Sequence, residues 1–159
     1  MKWSVVFVLL GALLGAGAAE PKTSGEVPVP FPRKGKYGYR DASGAFVIAP
    51  QFDYAGEFCE GLAVVGVGKF PDTKWGYINR QGHIVIPAQF AGAHDFSEGM
   101  AAVSAGGKLG YIDRTGKLVV PPQFDEAQKF SGGRARVRII KEGYGYINKQ
   151  GEFVVPLQL

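Results

Sequence analysis

Arg134, Arg136 and Arg138 alternate along the segment Arg134-Ala135-Arg136-Val137-Arg138-Ile139, with Lys141 just beyond it. Alternate residues of an extended chain share a face, so neighbouring guanidinium groups stand roughly 7 Å apart, twice the strand rise. Their forked donors match carboxylates and phosphates. The stripe is therefore a candidate site for an anionic partner: an anionic glycan, a lipid head group or an acidic protein. A second reading stands beside it, that of a solvated strand face whose charges need no ligand.

Other reactive residue types do not assemble into a set. His83 and His94 are the only histidines; they fall at different places in the repeat described below and lack zinc-type spacing, so solvated surface residues are expected and no metal. Glu60 and Glu98 each precede a glycine, while Gly132 takes that place in the third copy. A glycosidase pair would need carboxyls held about 5 to 9 Å apart, whereas residues at equivalent repeat positions sit in equivalent turns, so turn acids are expected. Cys59 is the only cysteine and allows no intramolecular disulfide. It aligns with Ser97 and Ser131, which asks for a small side chain rather than a nucleophile. The glycines form no Gly-x-x-x-x-Gly-Lys-Ser/Thr phosphate cradle. With no nucleophile, base and orienting group as a set, no catalytic residues and no cofactor are expected, and a hydrolase is the remote alternative.

The chain has 159 residues and a formal charge of +4. Its charges of both signs are interspersed, which implies at most weak attraction to anionic surfaces. Lys2, the apolar run from Val5 to Leu14 and the small residues ending Ala16-Gly17-Ala18-Ala19 read as a secretory signal peptide over 1–19, cleaved after Ala18 or Ala19. The run is shorter than the about 20 apolar residues of a membrane span. A secreted or periplasmic chain without a stable membrane span is expected, and nucleic acid is not an expected partner. The remaining part, about 140 residues, suffices for one domain.

What must position these residues is a repeat. Tyr37-Gly38-Tyr39, Trp75-Gly76-Tyr77, Leu109-Gly110-Tyr111 and Tyr144-Gly145-Tyr146 are each followed by Asp or Asn, by Gly44, Gly82, Gly116 or Gly151, and by Gln51, Gln89, Gln123 or Gln158. After the glutamine the first three copies continue in step through Phe52, Phe90 and Phe124, then Phe58, Phe96 and Phe130, then Gly61, Gly99 and Gly133. Such periodicity marks a repeat architecture.

Within each unit, Asx at the first position and Gly at the fourth predict a type I turn closed by a glycine of positive φ, hence a hairpin. The second strand is a β-branched run expected to stop at Pro50, Pro87, Pro121 or Pro156. A linker carrying the paired phenylalanines follows, the rings plugging the core between neighbouring units. A third strand then alternates inward Ala and Val with outward variable residues: Leu62, Met100 or Arg134, and Val64, Ala102 or Arg136. The glutamines have two readings, a backbone bond across units or a ladder facing a ligand. The fourth unit has its hairpin but no third strand, and an uncovered strand edge invites pairing. In the Pro-rich segment 20–35, the prolines of Val27-Pro28-Val29-Pro30-Phe31-Pro32 share one parity. An edge-capping strand through Val27, Val29 and Phe31 is expected there; a disordered linker is the alternative.

The Trp-Gly or Tyr-Gly start, the Tyr-Ile-Asn strand, the x-x-Gly turn, the Val-Ile-Pro-x-Gln-Phe exit and the Phe-Ser-Glu-Gly linker resemble the WG-repeat (KWG-repeat) family over residues 36–159. Only Lys74-Trp75-Gly76 is literal; Lys36-Tyr37-Gly38, Lys108-Leu109-Gly110 and Tyr144-Gly145 keep an apolar side chain beside the Gly. The resemblance implies a bacterial β-rich module for binding or scaffolding, with no catalytic residues to carry over. The expectation is an all-β chain of antiparallel meander units, 36–73, 74–107, 108–142 and the final hairpin 143–159, in an open solenoid-like array. A closed propeller-like ring is the alternative. The expected function is an exported, non-catalytic module that binds a protein or an anionic envelope component, with oligomers allowed. The alternative is an envelope structural protein self-associating through its terminal strand edge.

Overall fold

The computed structural model describes residues 26–159, so the expected signal peptide and the start of segment 20–35 lie outside the described residues. Every regular element described is a β-strand. The first sheet contains β1 (Val29–Arg33), β2 (Lys36–Arg40) and β3 (Phe46–Phe52). The second is a meander of β4 (Tyr54–Cys59), β5 (Leu62–Val67), β6 (Lys74–Asn79) and β7 (Ile84–Phe90). The third contains β8 (Gly92–Ala93), β9 (Met100–Ala105), β10 (Lys108–Asp113) and β11 (Leu118–Phe124). The fourth contains β12 (Glu126–Ala127), β13 (Ala135–Ile139), β14 (Gly143–Ile147) and β15 (Phe153–Gln158). All pairings are antiparallel.

The hairpins form as the turn chemistry predicts. Asp41, Asn79, Asp113 and Asn148 each accept, through Oδ1, the amide two residues on, at 2.9, 3.1, 2.9 and 3.0 Å. Gly44, Gly82, Gly116 and Gly151 close the turns at φ of 83, 83, 85 and 85°, a region open to glycine without steric cost.

The proline that was expected to end the second strand does not end it. Trp75 pairs with Phe90 and Tyr77 with Ile86, so Pro87, Ala88 and Gln89 bulge opposite Gly76 alone. Proline is tolerated at a bulge because the ladder there asks for no donor. The bulged backbone crosses the glycine so closely that a Cβ on Gly76 would stand 2.5 Å from the Ile86 carbonyl oxygen. Gly38 and Gly110 are crossed in the same way.

A second correction concerns phase. The linker is no free connection: its residues form β4, β8 or β12, the edge strand of the next sheet, reached across one residue, Asp53, Ala91 or Asp125. The third strand of each sequence unit pairs with the hairpin of the following unit. The last hairpin therefore does have its third strand, β13, donated by the unit before it. In the first sheet β1 fills that place, pairing Phe31 with Gly38 as Val65 pairs with Gly76. Val27 precedes this strand. Pro30 and Pro32 share the parity that cannot donate, and β1 forms the sheet edge.

The sheets stack face to face, and each core cluster bridges two of them. Tyr39, Ile48 and Phe52 meet Ala63, Val65 and Ile78; Leu62, Val64, Tyr77 and Ile86 meet Phe96, Ala101, Val103 and Ile112. Met100, Ala102, Tyr111, Val120 and Phe124 meet Ala127, Phe130, Ala135, Val137 and Ile147. The order runs first to fourth without closure, so the array is open and not a ring. The phenylalanines plug these layers as expected. β5 and β9 are consequently buried on both faces, and the expected outward residues Leu62, Val64, Met100 and Ala102 are only 5, 9, 6 and 2% exposed.

Candidate functional site

The ends of the stack differ from its interior by charge. Ile78, Ile112 and Ile147 each pack against the preceding sheet, and at that repeat position the first sheet carries Arg40, whose guanidinium lies 3.6 Å from the Phe31 ring centroid. On the opposite end, Arg134 and Arg136 occupy the positions of Leu62 and Val64. Among the described residues, no further sheet covers them. A polar outer face on a terminal repeat keeps an array soluble, and here it exposes groups able to bind.

The four basic residues of the sequence stripe separate into two sets. Arg138 pairs with Glu126 at 2.5 Å and lies over the Tyr144 ring; the Glu126 carboxylate raises the pKa of its guanidinium. Lys141 stands in the β13–β14 turn with φ of 72°, away from the cleft. Arg134 and Arg136 instead line a cleft of about 240 Å³ with Lys129, Gln128, Tyr146 and Val155. Arg136 also lies 3.9 Å from the Tyr144 ring centroid. Among the described residues, no carboxylate forms an ion pair with Lys129, Arg134 or Arg136. Three free cations beside an exposed phenol and an aliphatic patch can hold an anionic group attached to a ring or chain.

Tyr146 is exposed here for a definable reason. Its counterparts Tyr39, Tyr77 and Tyr111 are buried and donate from their hydroxyls to the carbonyls of Gly56, His94 and Gln128 at 2.8, 2.7 and 2.7 Å. Burial raises the pKa of all three phenols. Tyr146 is 40% exposed. Lys129 was missed by the sequence reading, although it is the basic residue where the other linkers carry Glu57 and Asp95.

Other candidate residues take structural or surface places. Glu60 accepts the amides of Glu98 and Gly99 at 2.6 and 2.9 Å, and Glu98 accepts that of Gly133 at 2.9 Å. Arg114 and Lys149 donate to the backbone carbonyls of Glu60 and Glu98. These turn acids thus clasp the second sheet to the third and the third to the fourth. Gln51, Gln89 and Gln123 are exposed on the bulges, whereas Gln158, also exposed, pairs in register with Tyr144. Among the described residues, the reading of a backbone bond across units finds no such bond; the Gln51 amide donates only to Ala49 of its own bulge, at 3.4 Å. His83 and His94 are exposed on separate units. The Cys59 thiol is half-buried, and burial, followed by Asp95, raises its pKa, the opposite of what an activated nucleophile needs. Among the described residues no three His, Cys, Asp or Glu gather as metal ligands.

Compared with known proteins, the chain is matched by the family model described as "WG containing repeat" over residues 37–69, 75–108, 110–139 and 144–159. These segments begin at Tyr37, Trp75, Gly110 and Tyr144, at or beside the Gly of each unit's opening tripeptide, in phase with the sequence units and not with the sheets. No curated protein matches the chain.

Proposed function

This chain belongs to the WG containing repeat family, and from that premise we propose that it is an exported, non-catalytic binding module whose terminal cleft holds an anionic partner. Export rests on the signal-like residues 1–19, which direct the chain out of the cytoplasm. The repeat supplies a rigid stack, and function enters where the copies cease to be equal. The observation that carries the reading is the convergence of Lys129, Arg134 and Arg136 on one cleft beside Tyr146 without an acidic partner. The partner is an anionic envelope component or an acidic protein segment.

Binding of polygalacturonate, phosphatidylglycerol vesicles and polyglutamate, measured at physiological salt, tests this. At least one should bind, and Arg134→Ser/Arg136→Ser should abolish that binding. Unchanged affinity in the double variant, or no binding of any of the three, would count against the proposal.

A structural role through self-association is favoured by a separate observation. On β15, the edge strand of the fourth sheet, Phe153 and Val154 are 42 and 45% exposed, and an apolar edge is a template for pairing. This reading expects a concentration-dependent sedimentation coefficient. A monomer at all concentrations removes it.

A further inference from the structure

Gly66 stands between Tyr54 and Trp75 in the second sheet, where the register pairs Tyr54 with Gly66 and Gly66 with Trp75. With no side chain between them, the two rings lean together at a centroid separation of 5.4 Å and an interplanar angle of 35°. The equivalent positions elsewhere carry Ser104 or Arg138 in place of Gly66, and Gly92 or Glu126 in place of Tyr54. This aromatic pair is therefore made once in the array. Tyr54 remains 40% exposed, and Trp75 is half-buried.

The rings form one wall of a cleft of about 410 Å³ whose other wall carries His94 and Asp95. That size falls within the roughly 300–1,000 Å³ of small-molecule sites. Both polar residues are exposed, and Asp95 has no ion-pair partner among the described residues. An aromatic wall facing a carboxylate acceptor and an imidazole suits a pyranose, whose ring carbons stack on the rings while its hydroxyls donate to the carboxylate.

His94 and Asp95 also bound a second cleft, of about 390 Å³, whose far side is Gln128 and Lys129. Gln128 and Lys129 in turn bound the terminal cationic cleft. The three clefts share walls in sequence, crossing from the second sheet to the fourth. At about 10 Å per stacked sheet, the row is long enough for several sugar residues.

We propose that this row is one binding site for a linear acidic polysaccharide, with a neutral sugar ring on Tyr54 and Trp75 and an anionic sugar at Lys129, Arg134 and Arg136. The proposal rests on the anion-binding reading of the terminal cleft and adds to it a chain length and a sugar subsite. Asp95 at the aromatic end repels a carboxylate and so favours the neutral ring there, which fixes the register in which an alternating chain lies.

The test uses the chain lacking residues 1–19, in which Trp75 is the only tryptophan. Three probes are titrated: hyaluronan hexasaccharide, which alternates acidic and neutral sugars, free glucuronate, and neutral chitohexaose. The hexasaccharide should shift the Trp75 emission and bind at least about tenfold more tightly than either control, because two subsites are engaged by one ligand. Tyr54→Ala and, separately, Asp95→Ala, which removes the acceptor, should remove that advantage while glucuronate binding is kept. Hexasaccharide binding no tighter than glucuronate, or untouched by both substitutions, overturns the inference while leaving the cationic cleft in place. Hexasaccharide or glucuronate binding that is indifferent to Arg134→Ser/Arg136→Ser overturns the anion reading and this proposal with it.

Discussion

The hydroxyl of Tyr77 donates a 2.7 Å hydrogen bond to the backbone carbonyl of His94, and Phe96 packs edge-on against the same ring at 4.8 Å. One residue thereby holds the hairpin of one unit to the strand that opens the next sheet. Tyr39 with Phe58 and Tyr111 with Phe130 repeat the arrangement. The bond positions His94, and with it the polar wall of the central cleft.

Tyr77→Phe removes that donor and leaves a part-buried carbonyl without it. It should cost about 1 kcal/mol of stability, read as a lower urea midpoint. Tyr146→Phe should leave the midpoint unchanged, because its hydroxyl has no linker carbonyl to reach.

Gly110→Ala should be far more damaging. A Cβ there would stand 2.4 Å from the Val120 carbonyl oxygen, and only movement of the crossing backbone could relieve the clash. A loss above about 3 kcal/mol is expected, and circular dichroism at rising urea would register it. A near-normal midpoint would mean that the bulge does not cross the glycine.

Lys34→Glu should stabilise the protein. Lys34 shares the left-handed turn conformation of Glu60 and Glu98, with φ of 50, 52 and 53°, but lacks the carboxylate that clasps the next turn. The substitution lets residue 34 accept the amides of Glu60 and Gly61 and face Arg80, as Glu60 faces Arg114 at 3.7 Å. The melting temperature should rise. A fall would show that the first interface is built differently from the others.

Acid should weaken the fold. Hydrogen bonds from Ser43, Lys36, Thr115 and Lys108 hold the carboxyls of Asp41, Asp53, Asp113 and Asp125 below the usual carboxylate range, and the Gly133 amide does so for Glu98. A depressed carboxyl contributes stability that is complete above its unfolded pKa and lost as pH falls through its folded pKa. Stability should be level from pH 7 down to about 5 and decline below about 4, near the unfolded carboxylate values. A maximum below that point in a thermal-unfolding series would contradict the assignment.

The sequence was read correctly where the signal was local. The Asx and glycine positions of each turn, the plugging phenylalanines and the proline-parity strand all depend on neighbours a few residues away. The faces of the third strand were misread because Leu62-Ala63-Val64-Val65 and Met100-Ala101-Ala102-Val103 are apolar on both parities, the mark of a strand covered twice. Arg134-Ala135-Arg136 alternates because, unlike β5 and β9, its strand has a described sheet on one face only. The reach of Glu60 to the amides of Glu98 and Gly99 depends on the offset between sheets, which no single unit encodes. Lys129 carried a readable signal, a basic residue where its repeat equivalents are acidic.

The central claim is that Arg134 and Arg136 sit on a solvent-facing end of the stack and are there to bind. The most direct test is Arg134→Leu/Arg136→Val, which installs the residue types of the buried positions Leu62 and Val64, with urea stability and affinity for whichever of polygalacturonate, phosphatidylglycerol vesicles and polyglutamate binds the unsubstituted protein measured on the same preparation. The account predicts stability changed by less than about 0.5 kcal/mol, as for surface sites, together with loss of binding. Retained binding, or a collapse in stability, would contradict it.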